Sequence, residues 1–419
     1  MSIRIGEFRR RAECRTCGGG RFRVFLDYGN MPLAGGFLAE AELGRECLYP
    51  LDLAVCESCS LVQVLNVVPP DVLFRDYKYL SSVTQTLSRH FVEYADFLCR
   101  DVLRPCQSFV VEIGSNDGVL LAPLAERGVR VLGVDAARNV ADVARRRGLD
   151  VIDDYFTVEL ARRVAAKHGQ ADLVTGSNVF AHVDDLGEVM RGVDALLARD
   201  GFFIVEVHYV VDLLKTLQFD TVYHEHLCYF SLHALHALFG RYDFSIVDVH
   251  RLPMHGGAIR VIARRSTVAE GKQSPGLVDA MREERGLGVN MPACYLEFGK
   301  RAAEHRDRLR DFLRRRAKEG RSLSGYGASG RATTLLNWCG LDRSLIRYMV
   351  DSSPLRAGRY VPGVHIPIVP PERFHQEPTE DCLITAWNYR EEIIHKEPAF
   401  VAGGGRFIVP LPSIEVLPP

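Results

Sequence analysis

The chain has 419 residues, 47% of them hydrophobic and 25% charged, with a formal net charge of −1 at pH 7. That balance excludes a protein whose main task is coating nucleic acid, because neutralising phosphates needs a clear basic excess. No apolar run approaches the ~18 residues of a membrane span. The opening stretch MSIRIGEFRRRAEC is positively charged but has no apolar core behind it, so it is not read as a secretory signal. The length suits two or three domains. A cytoplasmic location is expected, which makes the 11 cysteines thiols or metal ligands rather than disulfides.

Two C-x-x-C pairs, Cys14/Cys17 and Cys56/Cys59, open the chain. Each pair presents two thiolates from one tight loop, and together they read as a tetrahedral zinc site. Four thiolates leave no open coordination position, so the zinc is structural. The remaining cysteines (Cys47, Cys99, Cys106, Cys228, Cys294, Cys339 and Cys382) have no paired spacing and read as small buried apolar residues. The pairs define a zinc-binding unit over residues 1–72. A polar, aromatic loop, YKYLSSVTQ, follows. From about Thr84 a helix is expected, with Leu87, Phe91, Tyr94 and Leu98 on one face.

The middle of the chain alternates strand and helix. Phe109–Ile113 reads as a buried parallel strand, GSNDG as a glycine-rich turn, and VLLAPLAERG as the helix behind it. A second strand ends in Asp135, where an acid can bind ribose hydroxyls. The first loop lacks the full G-x-G-x-x-G, so a pyrophosphate is poorly accommodated. The pattern resembles class I S-adenosylmethionine (SAM) methyltransferases, in which the glycine loop approaches the methionine part of the donor. On that resemblance Gly114, Ser115, Asn116 and Asp135 bind the cofactor. LDVIDDYFT (149–157) supplies the third strand and an adenine-flanking loop with Tyr155 and Phe156. SNVFAH ends the fourth strand and places Asn178 and His182 near the donor or the acceptor. DGFFIVEVHYVVDLL suits the fifth strand.

TVYHEHLCYF (221–230) packs two histidines around one glutamate. The spacing is not that of H-E-x-x-H metalloproteases. In an extended strand His224 and His226 would share one face and Glu225 the other.

Farther on, a long helix is expected from about 290 to 319, with its charges on a solvated face. SLSGYGASGRATTLLN then matches G-x-G-x-x-G at Gly325, Gly327 and Gly330, and Asp351 follows Gly330 by 21 residues. Taken alone this is a dinucleotide fingerprint, and an NAD(P)-dependent nucleotide-sugar oxidoreductase is the rival reading. A zinc-ribbon adaptor without catalysis is a third.

The four cysteines, VEIGSNDGVLL, SNVFAHVDD, VYHEHLCYFS, HGGAIRV, GYGASGRATTLLN, GRYVPGVHIPI and AWNYREEI run in order through nearly the whole chain. Together they resemble the three-domain sugar C-methyltransferases of actinomycete deoxysugar pathways. The chain looks most like the C-3′-methyltransferases of dTDP-3-amino-2,3,6-trideoxy-4-keto-hexoses on the tetronitrose-type nitrosugar route. C-3′ or C-5′ methylation of a non-amino dTDP-4-keto sugar is the nearby alternative. The resemblance implies an α/β architecture in three parts: a four-cysteine zinc unit (1–72), a Rossmann-like SAM domain (73–268) and a second Rossmann-like domain holding the nucleotide-sugar (269–419). It implies His226 as the base at C-3′, with Tyr223, Glu225, His182 and Tyr77 beside it and His224 as an unassigned neighbour. Substrate contacts are expected from His255, Gly256, Arg260, Arg331, Arg359, Tyr360 and Asn388. Arg331 stands where the family usually has lysine. The expected partners are SAM, zinc and a dTDP-sugar, with no nucleic acid, no membrane and a monomeric chain.

Overall fold

The computed structural model describes residues 4–74, 85–269, 271 and 273–418. Its first unit is an antiparallel sheet of Phe22–Pro32, Leu48–Cys56 and Val62–Val64. Burial alternates along Leu48–Leu53 and then becomes continuous to Cys56, where both faces of the strand are covered. A fourth strand, Cys228–Tyr229, joins this sheet from far along the chain, pairing Cys228 with Gln63 and Tyr229 with Val62.

The four paired cysteines converge beside that sheet. Sγ of Cys14 lies 3.5 Å from that of Cys59, and Cys17 lies 3.6 Å from Cys56. All four sulfur atoms fall within 4.8 Å of one another. A tetrahedral zinc thiolate with ~2.3 Å bonds has edges of ~3.8 Å, so the cage fits zinc. The Gln63 amide donates to Cys14 Sγ at 3.2 Å, and the Gly19 N–H donates to Cys17 Sγ at 3.4 Å. Such donors stabilise thiolates. Of the other cysteines, Cys228, Cys339 and Cys382 are buried as expected. Cys106 is exposed, and Cys47, Cys99 and Cys294 are half-buried, so the uniform core reading is corrected. Cys106 sits at φ 65° in the turn before the first central strand, which holds it outside the core.

The central sheet has seven strands: β1 (Phe109–Ile113), β2 (Arg130–Val134), β3 (Val151–Ile152), β4 (Ala171–Ser177), β5 (Leu197–His208), β6 (Phe244–Leu252) and β7 (Ala258–Arg265). Their spatial order is β6-β7-β5-β4-β1-β2-β3. β1 to β5 run parallel, and β7 is antiparallel to both of its neighbours. All five β1 residues are buried, as befits a central parallel strand. β3 is shorter than the 149–157 stretch suggested. Asp153 leaves the sheet to pair with Arg145 and Arg138, and Thr157 caps the next helix by accepting from the Leu160 N–H. The helix Gln85–Asp101 buries Leu87, Phe91, Tyr94 and Leu98 against Val110, Leu173 and Ile204 of the sheet.

After helices Pro275–Leu287 and Pro292–Lys318 comes a six-stranded sheet: β8 (Leu323–Tyr326), β9 (Met349–Val350), β10 (Ile368–Val369), β11 (Asp381–Ile384), β12 (Arg406–Val409) and β13 (Glu415–Leu417). Its order is β10-β9-β8-β11-β12-β13, parallel except for β13. Gly325 is required by close packing, since a Cβ there would meet Met349 Sδ at 2.3 Å. The turn after β8 leads into helix Gly330–Cys339, capped by Ser329 Oγ accepting from the Ala332 N–H.

Replacing Cys56 by Ser removes one of four zinc ligands from a closed cage. The variant is expected to lose its zinc by atomic absorption and to drop in Tm by at least ~10 °C. Cys106→Ser, changed at an exposed thiol, keeps both zinc and Tm.

Candidate functional site

Residues 219–226 are not an extended strand; the strand begins only at Cys228. A 3-10 turn, Phe219–Thr221, leads into a tight turn in which the His226 N–H donates to the Tyr223 carbonyl at 3.0 Å. The turn sends the two histidines to different places. His224 is fully buried against the zinc unit, with Nε2 3.2 Å from the Pro50 carbonyl and its ring edge-on to Tyr49. Burial pulls its pKa down to about 4. His224 is therefore a neutral packing residue between units.

His226 points inward. Its Nδ1 lies 3.1 Å from the Thr221 carbonyl, which can only accept, so the proton sits on Nδ1. Its Nε2 accepts from the Tyr223 hydroxyl at 2.9 Å, and the two rings lie 4.1 Å apart. The same Thr221 carbonyl accepts from Tyr229 Oη at 2.9 Å. Burial, with His182 and His208 beside it, holds the His226 pKa well below the usual imidazole range. The ring is a neutral base with a defined tautomer.

Glu225 turns toward the zinc unit, where the Gly35 N–H donates to its Oε1 at 3.1 Å. Burial raises its carboxyl pKa. His182 Nδ1 donates to the Glu225 carbonyl at 2.6 Å, and its ring centroid is 5.0 Å from that of His226. Tyr77 lies outside the described residues. Among the described residues the only cage of metal-ligating side chains is the four-cysteine one, so the histidine cluster is not a preformed metal site.

Two more imidazoles complete the cluster. His208 ends β5, 5.1 Å from His226 and 5.5 Å from His255 by ring centroids. The sequence reading passed over His208, although a polar residue at the carboxyl end of an apolar parallel strand marks a ligand position. His255 sits in a left-handed turn at φ 55°, and burial beside Arg331 pulls its pKa down to about 4.

Arg331 reaches from the start of helix Gly330–Cys339 toward this cluster. It donates to Gln218 Oε1 at 3.0 Å and to the His255 carbonyl at 2.5 Å, beside the buried Asp220 and over the Trp387 ring. Trp387 in turn donates to Asp220 Oδ2 at 2.8 Å. Gly256 and Asn388 line an open cleft of ≈480 Å³ together with Thr86, Pro253, Trp387 and Arg390.

Three expected substrate contacts are placed elsewhere. Arg260 donates from Nε and Nη2 to a single oxygen of buried Glu206, Oε1, at 2.9 and 2.6 Å, beneath the Tyr94 ring. His90 holds the other oxygen of Glu206 at 2.9 Å. Arg359 donates to the Phe37 carbonyl, and the Tyr360 backbone bridges to Leu38 of the zinc unit. Arg260 is spent within the central unit, whereas Arg359 and the Tyr360 backbone tie the C-terminal unit to the zinc unit.

On the other side of the cluster lie the carboxyl ends of β1, β2 and β4. Asp135 accepts from the backbone N–H groups of Asn116 (2.8 Å) and Ala137 (2.9 Å), and so closes the first loop. Each carboxylate oxygen keeps a second lone pair for a ribose hydroxyl. Gly114, Asn116 and Asn178 all have positive φ, in the turns that follow β1 and β4 at the carboxyl edge of the sheet. Ser115 is buried, Phe156 is buried and Tyr155 is exposed. Buried Ser177 Oγ and Asn178 Oδ1 have no hydrogen-bond partner among the described residues. Orphaned polar atoms at this edge fit a bound nucleoside.

Comparison with known proteins agrees with this layout. Residues 14–74 match the family described as "Putative zinc binding domain", 89–249 match "Methyltransferase domain", and 253–412 match "C-methyltransferase C-terminal domain". C-methyltransferase NovU of Streptomyces niveus is 41% identical over 406 residues, covering 97% of this chain and 96% of that protein. The ubiquinone biosynthesis O-methyltransferase of Bordetella parapertussis is 34% identical over 97 residues, which is 23% of this chain and 40% of that protein. The SAM-bound magnesium protoporphyrin IX methyltransferase of Synechocystis PCC 6803 aligns with a TM-score of 0.32 and 16% identity, over 42% of this chain and 79% of that one. The chain belongs to the family of SAM-dependent C-methyltransferases that carry a zinc-binding N-terminal domain.

Proposed function

We propose that the enzyme methylates C-3′ of a dTDP-linked 4-keto-deoxyhexose, with dTDP-3-amino-2,3,6-trideoxy-4-keto-D-glucose as the favoured substrate in antibiotic deoxysugar biosynthesis. The observation that carries this reading is the neutral His226, fixed as its Nδ1–H tautomer by the Thr221 carbonyl with Nε2 turned inward. A carbon beside a ketone becomes a nucleophile when a base removes its proton. The Tyr223 hydroxyl, which donates to Nε2 here, must swing off that lone pair as substrate enters. Nε2 then takes the proton, and the C–H pair moves into the ring to leave charge on the ketone oxygen. SAM supplies an electrophilic methyl group to the resulting carbon nucleophile, after which the ketone reforms. Tyr223 orients the base, while Glu225 and His182 hold the turn that carries it.

On this reading residues 1–72 brace the site, 73–268 bind SAM and 269–419 hold the nucleotide-sugar. The N–H groups opening helix Gly330–Cys339, with Arg331, suit a diphosphate. Asp351, just after β9, accepts from the Ser353 N–H and from Arg356.

The test is a panel of dTDP-4-keto sugars with and without a 3-amino group, incubated with methyl-labelled SAM. The product's NMR spectrum should carry the new methyl on C-3′, and a C-5′ signal would overturn the site assignment. His226→Asn is expected to lower kcat at least ~10³-fold while still binding S-adenosylhomocysteine and dTDP. The depressed pKa of His226 keeps it neutral as pH falls, and base function is lost only on passing below that depressed value. The kcat/KM profile should therefore stay flat through pH 6.5 to 6. An acid limb centred near 6.5 would contradict a buried neutral base.

A further inference from the structure

We propose that His208 is a second catalytic residue, an imidazole N–H donor to the oxygen that becomes negatively charged when His226 removes the proton. The assignment rests on the enolisation reading above. His208 is the last residue of β5, at the carboxyl edge of the parallel sheet where ligands bind in such folds. Its backbone is held in register opposite Ala258 of β7, so the side chain stands on a rigid strand rather than a loop.

The four clustered imidazoles are not equivalent. His226 has both nitrogens committed, Nδ1 to the Thr221 carbonyl and Nε2 to the Tyr223 hydroxyl. His182 gives Nδ1 to the Glu225 carbonyl. Among the described residues, none hydrogen bonds to either ring nitrogen of His208 or His255. Of these two, His208 is the one packed edge-to-face on the base, at 5.1 Å, with His255 one ring farther out. A half-buried imidazole on a rigid strand, with neither nitrogen bonded among the described residues, is available to a ligand.

The spacing matches the chemistry. The carbon acid and its carbonyl oxygen are separated by only two bonds. A base ~3 Å from that carbon's proton and a donor ~3 Å from that oxygen must sit side by side, several ångströms apart. Burial among His255, Arg331 and His182 keeps His208 neutral. A neutral imidazole donates one N–H to a developing oxyanion without releasing its own proton, and a preorganised donor of this kind is typically worth ~10²–10³ in rate. The balance is closed: the α-proton goes to His226 Nε2, the C–H pair forms the carbon–carbon double bond, and the carbonyl π pair moves to the oxygen facing His208.

The test separates enolisation from methyl transfer. With S-adenosylhomocysteine in place of SAM, the wild-type enzyme in D2O should exchange the α-proton of the 4-keto nucleotide-sugar, followed by NMR. His208→Ala is expected to slow this exchange and methyl transfer by the same factor, ~10²-fold, with sugar KM changed by less than ~3-fold. His208→Asn, which keeps an N–H donor, should recover at least ~10-fold of that loss. Unchanged S-adenosylhomocysteine binding by both variants verifies the fold. Exchange at the wild-type rate in His208→Ala overturns this assignment alone, as does a raised KM with kcat intact. Wild-type enzyme that neither exchanges nor methylates any 4-keto sugar overturns the enolisation reading together with it.

Discussion

The carbonyl of Thr221 organises the site. It accepts from His226 Nδ1 and from Tyr229 Oη at once, so one backbone oxygen sets the tautomer of His226 and ties the turn to the strand that follows. A backbone acceptor cannot rotate away as a side chain could, provided the backbone itself is held. It is held from three directions. The zinc unit grips the segment through Tyr28 Oη on the Phe219 carbonyl, Gly35 on Glu225 and Pro50 on His224. The central unit holds it through the Leu227 N–H on the Ala181 carbonyl. The C-terminal unit adds Thr334 Oγ1 on the Val222 carbonyl and Trp387 on Asp220.

The electrostatics follow from that enclosure. Histidines 182, 208, 226 and 255 and the guanidinium of Arg331 share one interior, and desolvation drives all four imidazoles toward neutrality. Interior cations are kept only where a carboxylate answers them. Arg260 has Glu206, and Arg331 has Asp220 nearby at 3.8 Å. His226 therefore sits among neutral imidazoles, with Arg331 the cation whose charge bears on it, in a setting where hydrogen bonds are strong.

Much of this was legible in the chain. The two C-x-x-C pairs, the β1 turn, the amphipathic face of Gln85–Asp101 and the glycine turn before Gly330 are local patterns, and local geometry reproduces them. The conformation of TVYHEH was not legible in the sequence. A two-residue alternation of polar side chains is compatible with a turn, and only the Tyr223 carbonyl accepting from His226 decides it. Arg260 looked like a substrate contact because a strand arginine gives no sign of the glutamate on its neighbour. His208 escaped because it is a single polar residue closing an apolar run. The pairing of Cys228–Tyr229 with Val62–Val64 joins residues with no shared local signal.

That pairing has a consequence for how such enzymes can diverge. The zinc-bearing sheet is completed by the strand that follows the His226 turn, and Gln63 opposite Cys228 also donates to Cys14 Sγ. The two units therefore share a boundary inside a hydrogen-bonded sheet rather than across a linker. A zinc unit transplanted from a relative would have to bring its own match for the edge formed by residues 227–230. Recombination between family members is then constrained to breakpoints that keep both halves of that sheet together, even though they lie more than 160 positions apart in the chain.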